Sequence, residues 1–311
     1  MRSLIIWLAL VIDQLIGDPP NRFHPVAWIG QVVNRVEPRL PKRDASSAFI
    51  AGLVSWLTGS SLVIGLAWVG KQICQQLAPP FNWLGEGFLL KLTLSQSGLV
   101  NAAVQVESAL GEDLDQARQL VSWHLVSRDT SHLSVPQVTA ATIESIAENT
   151  SDGIIAPLFY FALGGLPFAW FYRFANTLDS MWGYHDPNHE WLGKTAARLD
   201  DLLNFVPARL TTICIILSAW MTGKNSHQAL SSVLQDAHNP SSPNAGFPMS
   251  AMAGALEIEL EKVGTYQLGK GLRKPEATEI EQAIKIMSVA TLLGSAILSG
   301  YCMFAMKPTR K

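Results

Sequence analysis

Between Ala45 and Gly70 the chain runs for 26 residues without an Asp, Glu, Lys, Arg or His. A helix needs about 20 apolar residues to cross the hydrocarbon core of a bilayer, and soluble cores rarely contain uninterrupted runs of that length. Ile286 to Met306 gives a second such run of 21 residues, and Gly153 to Tyr172 a third of 20. Charged residues make up only 15% of the 311, against roughly a quarter in soluble chains. The pattern predicts an all-α, polytopic integral membrane protein, a single membrane-embedded domain over 1–311. About four to five membrane segments are expected, joined by helical polar connections.

Two shorter runs, Leu92–Val106 and Leu210–Gly223, read either as spans extended by their flanks or as helices lying partly in the interface. The N-terminal stretch Leu4–Ile12 lacks a small-x-small cleavage site and leads into Asp13, Gly17, Asp18, Pro19 and Pro20, so a retained, partly inserted helix is expected. The 153–172 run carries Leu163-Gly164-Gly165-Leu166-Pro167 at its centre, which breaks a helix near its midpoint. Two readings stay open there, a re-entrant hairpin and a kinked span. Basic residues gather at Arg35, Arg39, Lys42 and Arg43 and at Lys307, Arg310 and Lys311, which the positive-inside rule assigns to the cytoplasm.

Four polar clusters lie beside the apolar runs. The first is Asp13 to Pro20 with His24-Pro25-Val26, a turn made rigid by proline that presents Asp18 and His24. The second is Arg128-Asp129-Thr130 with Glu144, Glu148, Asn149 and Asp152. On a helix Glu144 and Glu148 share one face, with Asp152 one turn on, and such a column of carboxylates calls for a divalent ion or arginines. The third holds Arg173, Asn176, Asp179, Arg198, Asp200, Asp201, Asn204 and Arg209. Hard oxygen ligands and guanidinium groups at this density suit magnesium and phosphate. Charges at a membrane edge are energetically unfavourable and usually functional. The fourth is Gln235-Asp236-Ala237 with Ser242-Pro243-Asn244-Ala245-Gly246, a turn whose backbone N–H groups either hold an anion or simply open a helix.

Other chemistries fall away. A net charge of −2 leaves no nucleic-acid footprint. Gly193-Lys194-Thr195 lacks the upstream glycine of a P-loop, where Asn188 stands, and Pro187 between His185 and His189 disfavours a helical zinc pair. Cys74, Cys214 and Cys302 have no ligand spacing and read as packing residues. No Gly-x-Ser-x-Gly elbow is present.

Six strings occur in an order that resembles the adenosylcobinamide-phosphate synthase (CobD/CbiB) family of cobalamin biosynthesis. They are Gly17-Asp18-Pro19-Pro20 with His24-Pro25-Val26; Arg128-Asp129-Thr130; Glu144-Ser145 with Glu148-Asn149, Asp152-Gly153 and Ala156-Pro157; Asn176-Thr177 with Asp179-Ser180-Met181 and Gly183-Tyr184; Ala197-Arg198-Leu199-Asp200-Asp201 with Pro207-Ala208-Arg209; and Ser242 to Gly246. The chain departs from the pattern at Ser127, at Gln235 and at Glu261-Lys262-Val263-Gly264 before Tyr266.

The resemblance implies an ATP- and magnesium-dependent ligase of the inner (plasma) membrane, multi-pass, with its site toward the cytoplasm. It would join the corrinoid adenosylcobyric acid to (R)-1-aminopropan-2-ol or that alcohol's phosphate. Glu148, Asp152, Asp200 and Asp201 would be catalytic, with Asp152, Asp200 and Asp201 holding magnesium. Substrate and phosphate contacts would come from Asp18, His24, Arg128, Asp129, Asn149, Arg173, Asn176, Asp179, Arg198, Asn204, Arg209 and Asn244. Expected partners are the corrinoid, the small amine and membrane lipid, with a homo-oligomer left open. A membrane carrier or a sensory protein for an anionic ligand is the alternative.

Overall fold

The structure is a computed structural model that describes residues 1–305 apart from Arg43, His185 and Asn188. The basic positions Arg43, Lys307, Arg310 and Lys311, and the His185 and Asn188 positions, lie outside the described residues.

The chain begins with α1 (Arg2–Ile16), which stops where Gly17 turns left-handed at φ 69°. His24 opens α2 (Pro25–Val36): its ring Nδ1 accepts the Val26 N–H at 3.2 Å. The first charge-free run is α3 (Ala45–Gln75), capped by Asp44, whose Oδ1 accepts the Ser47 N–H at 2.8 Å. At 31 residues it is about 46 Å long, ample for a bilayer core. Next come α4 (Phe81–Lys91) and α5 (Gln96–Leu110). The 92–106 run is therefore not one helix. A turn at 92–95 divides it, with Thr93 Oγ1 donating to the Leu90 carbonyl and the Ser95 N–H to the Gly153 carbonyl at 3.0 Å.

The polar stretch that follows forms α6 (Leu114–His124) and α7 (Val135–Thr150), helical as expected of the polar connections. From Ser151 to Ile155 the winding widens to a π turn. The third run then splits as its glycines predict, into α8 (Ala156–Gly164) and α9 (Leu166–Trp182), with Gly165 between them at φ 78°. The Leu210–Gly223 run is the second half of a longer helix, α10 (Lys194–Met221). After α11 (Ser226–Asp236) and α12 (Gly246–Leu256), a small antiparallel hairpin of β1 (Leu260–Lys262) and β2 (Tyr266–Leu268) departs from the all-helical expectation. The last apolar run lies in α13 (Glu279–Ala305). Among the described residues three helices, α3, α10 and α13, are long and apolar enough to cross a membrane, where four to five segments were expected.

The chain gathers into two compact units, each built from separated stretches. The first comprises 1–94, 156–204 and 297–311, and the second 95–155 and 205–296. In the first, α1 packs on α4, α3 on α9, and α8 on α9. Its core joins Val33, Ala51, Trp56, Phe174, Leu178, Trp182 and Leu192. In the second, α7 is buried on nearly every side among α5, α6, α12 and β1, and α11 packs on α12.

Candidate functional site

The sequence-predicted residues fall into a polar cluster in each unit. In the first unit, α4 ends at Lys91, which is only 1% exposed. Its Nζ lies 2.5 Å from Asp18 Oδ1 and 3.5 Å from Asp13 Oδ1. A lysine so deeply buried is stable only because the two carboxylates balance its charge. Burial also lowers the pKa of His24, with Asp18 opposing the shift and Arg173 and Lys91 adding to it. The imidazole is thus held neutral at physiological pH, beside three charged groups.

Further along this unit, Asn176 and Asp179 on α9 meet Asp200 and Asn204 on α10. Asn204 Nδ2 donates to Asp200 Oδ2 at 2.9 Å, Asn176 Nδ2 to Asp200 Oδ1 at 3.4 Å, and the Tyr172 hydroxyl to Asn204 Oδ1 at 2.8 Å. Asp200 and Asn204 are 8% and 1% exposed. Asp179 is the charged neighbour that acts most strongly on Asp200. Tyr160 stacks on Tyr172 with ring centroids 5.1 Å apart and closes one side of the network. Asp201 is partly exposed and points elsewhere around the helix, one turn from Arg198.

In the second unit, α7 presents Glu144 and Glu148 one turn apart, as expected. Asp152 lies in the π turn that follows. That turn brings Gly153 against Ser95 so closely that a Cβ on Gly153 would stand 2.2 Å from Ser95 Oγ. Glu144 is 5% exposed, and its Oε2 lies 3.6 Å from the Arg128 guanidinium. Burial pushes the Glu144 carboxyl up to about 7; Arg128 opposes this, Glu148 reinforces it, and Tyr266 and Lys262 oppose it. Burial also raises Glu148, against the pull of Lys262. Tyr266 is raised by burial and by the two glutamates. The β1–β2 hairpin thus delivers Lys262 and Tyr266 to the acidic face of α7.

Other expected residues are engaged locally. Asn149 turns back to donate to the Ser145 carbonyl and hydroxyl at 2.9 and 3.2 Å. Exposed Asp129 holds a turn by accepting the Ser131 N–H at 2.9 Å. Arg209 lies between the rings of Phe205 and Phe247, 3.8 and 4.1 Å from their centroids, and donates to Asn244 Oδ1 at 2.7 Å. Its guanidinium therefore braces the 242–246 loop. The Asn244 and Ala245 N–H groups of that loop go to Ser242 Oγ at 3.3 and 3.2 Å.

Asp152 belongs to one unit and Asp200 and Asp201 to the other. Among the described residues no group of three or more His, Cys, Asp or Glu side chains gathers as a metal site. Lys91 and Tyr172 were missed in the sequence. The signal for Lys91 was a lone cation among leucines at 89, 90, 92 and 94; Tyr172 gave none.

Residues 6–293 match the family model described as CobD/Cbib protein. The chain is 38% identical over 299 residues to the probable cobalamin biosynthesis protein CobD of Methanothermobacter thermautotrophicus, covering 95% of this chain and 96% of that one. It is 39% identical over 304 residues to cobalamin biosynthesis protein CobD of Dehalococcoides mccartyi, with coverage of 97% and 98%. It is also 37% identical over 309 residues to cobalamin biosynthesis protein CbiB of Salmonella typhimurium, with coverage of 95% and 96%. No solved structure matches the chain.

Proposed function

The chain belongs to the CobD/CbiB family, and on that premise we propose that it serves cobalamin biosynthesis as a membrane-held ligase. It joins the carboxylate of adenosylcobyric acid to the nitrogen of (R)-1-aminopropan-2-ol or its O-phosphate, using ATP. The observation that carries this reading is the buried network of Asp200, Asn204, Asn176 and Tyr172, with Asp179 at its edge. Such a network offers hard oxygens and fixed amide groups but no nucleophile, which suits phosphoryl transfer.

Amide formation from a free carboxylate is uphill in water. The corrinoid carboxylate oxygen therefore attacks the terminal phosphorus of ATP and ADP leaves. The amine nitrogen then attacks the acyl carbon of the resulting mixed anhydride; inorganic phosphate leaves and the nitrogen loses its proton. In this scheme Arg173 and Arg198 meet phosphate oxygens. His24 and Asp18, fixed by Lys91, line the corrinoid or amine side. Magnesium, when bound, would neutralise phosphate charge. Asp200, with Asp179 near it, fits a metal that takes one or two carboxylates and fills its other positions with water and phosphate; Asp201, on another side of the helix, stands outside that pair.

The enzyme would be multi-pass in the inner (plasma) membrane with its chemistry on the cytoplasmic side. The 153–172 segment would dip and return. Its two pieces, α8 and α9, are 9 and 17 residues long and pack on each other. That break also favours a second reading, a corrinoid carrier. Purified protein given adenosylcobyric acid, ATP, magnesium and each amine in turn tests both. An ATP-dependent amide product detected by mass spectrometry is expected; corrinoid binding or transport with no amide would favour the carrier.

A further inference from the structure

The helix α2 has 12 residues and is about 18 Å long, too short to cross a bilayer core. Its inner side carries Ile29 and Val33, which share a core with Ala51 and Trp56 of α3 and with Phe174 and Leu178 of α9. Ala51 lies in the second turn of α3. The short helix is therefore fixed beside the opening turns of a helix long and apolar enough to span.

The outer side of α2 is not covered by the rest of the chain. Trp28, Val32 and Val36 follow one another at every fourth position and so share one face. Trp28 and Val32 are 49% and 56% exposed, and Val36 and the preceding Phe23 are exposed as well. Gln31, Asn34 and Arg35 occupy the next arc of the helix. The Trp28 Nε1–H donates to the Arg22 carbonyl at 2.9 Å, so the indole enters an apolar medium without an orphaned donor.

Arginines border this face. Arg22, Arg35 and Arg39 are exposed, and among the described residues none of them pairs with a carboxylate. Lys42, by contrast, is neutralised by Glu37 at 2.8 Å. The Arg22 guanidinium lies over the Phe23 ring, 4.7 Å from its centroid. Aromatic rings beside unpaired arginines suit the zone where acyl chains meet headgroups, because the rings bury their apolar bodies while the guanidinium groups reach phosphate.

We infer that α2 lies in the plane of the membrane interface, with Phe23, Trp28, Val32 and Val36 among the upper acyl chains and Arg22, Arg35 and Arg39 on the phosphates of anionic lipid headgroups. The rival occupant is a second copy of the chain. Under two-fold symmetry it would bring its own three arginines to the same face, like charge against like. An anionic headgroup brings the opposite charge. This placement goes beyond the ligase reading and does not depend on it.

Full-length protein in lipid vesicles tests the inference. Cys74, Cys214 and Cys302 are buried, so a cysteine introduced on the exposed face takes a bimane fluorophore selectively. A label at Val32→Cys should be quenched about twofold or more strongly by phosphatidylcholine brominated near the headgroup than by phosphatidylcholine brominated near the chain ends. Aqueous iodide should quench a label at Asn34→Cys about twofold more than the one at Val32→Cys. At equal mole fraction, brominated phosphatidylglycerol should quench the Val32→Cys label about twofold beyond brominated phosphatidylcholine. Adding Arg22→Gln and Arg35→Gln should abolish that preference, and so should high salt. Val36→Cys, one turn on, gives the same reading where Val32→Cys does not fold.

Three results would each overturn the inference. If neither brominated lipid quenches the label, water or a second copy covers the face. If the deep bromines quench more strongly, the helix inserts rather than lies flat. If the two headgroups quench equally, the arginines do not select anionic lipid.

Discussion

The side-chain amide of Asn204 donates to the carboxylate of Asp200 at 2.9 Å, one turn back along α10. The Tyr172 hydroxyl holds the other end of that amide at 2.8 Å, which fixes the orientation of both residues. Tyr172→Phe leaves the buried Asn204 oxygen without its donor, at a cost of about 1–3 kcal/mol. A lower Tm in detergent and a reduced kcat are expected, with ATP KM nearly unchanged. Asp200→Asn keeps the shape and removes the charge, so ATP-dependent product formation should fall by about 100-fold or more while corrinoid binding persists. Equilibrium binding of the corrinoid beside a turnover assay checks both variants.

Lys91 neutralises two carboxylates at once. Lys91→Met removes the cation between Asp13 and Asp18 and should destabilise the protein by about 3–5 kcal/mol. Adding Asp13→Asn should restore part of that loss, because one of the two negative charges is gone. Thermal unfolding of the single and double variants measures the coupling.

The pH dependence of stability follows from Glu144. Its carboxyl sits at about 7 in the folded protein against 4.5 for an ordinary glutamate. The folded state therefore holds more protons than the unfolded state between these values, and Glu144 makes the protein less stable as pH rises from about 4.5 to about 7. Glu144→Gln, permanently neutral, should be more stable than wild type at pH 8 by a few kcal/mol. The difference should vanish below about pH 4.5. Unfolding midpoints measured across that range decide it.

Arg209 is held by two aromatic faces and a side-chain amide. Lysine keeps the charge but neither stacks in the same way nor fits the planar site. Arg209→Lys should loosen the 242–246 loop, lowering Tm and kcat while leaving ATP KM within about twofold. A selective rise in ATP KM at unchanged Tm would instead make Arg209 a phosphate ligand.

The long apolar runs were legible because a charge-free helix has few other places to go, and α3 begins where Asp44 ends the preceding charge. The break at Gly164-Gly165 was legible too, since Gly165 adopts a conformation open mainly to glycine and Pro167 follows in the first turn of α9. The 92–106 run misled because absence of charge does not distinguish a helix from a turn held by Thr93 and Ser95. Strands of three residues are too short to show alternation, so the β1–β2 hairpin left no periodic signal. Asp18, His24, Asp200 and Asn204 stood out as polar residues beside apolar runs. Lys91 acquires its meaning from partners 73 and 78 positions earlier, a separation that no local pattern reports.

Both units are assembled from stretches that alternate along the chain. On a ribosome, Arg2 of the first unit emerges early, and its guanidinium ends up donating to the Ala162 carbonyl at 2.9 Å. That acceptor is synthesised 160 residues later. The last part of the same unit, from Ile297 onward, emerges only after the second unit's sequence has been read. The first unit cannot be finished before the second and handed on as a module. A nascent chain stalled before Ile297 would hold an incomplete first unit, and gene fusions that exchange one unit for another would need four simultaneous junctions.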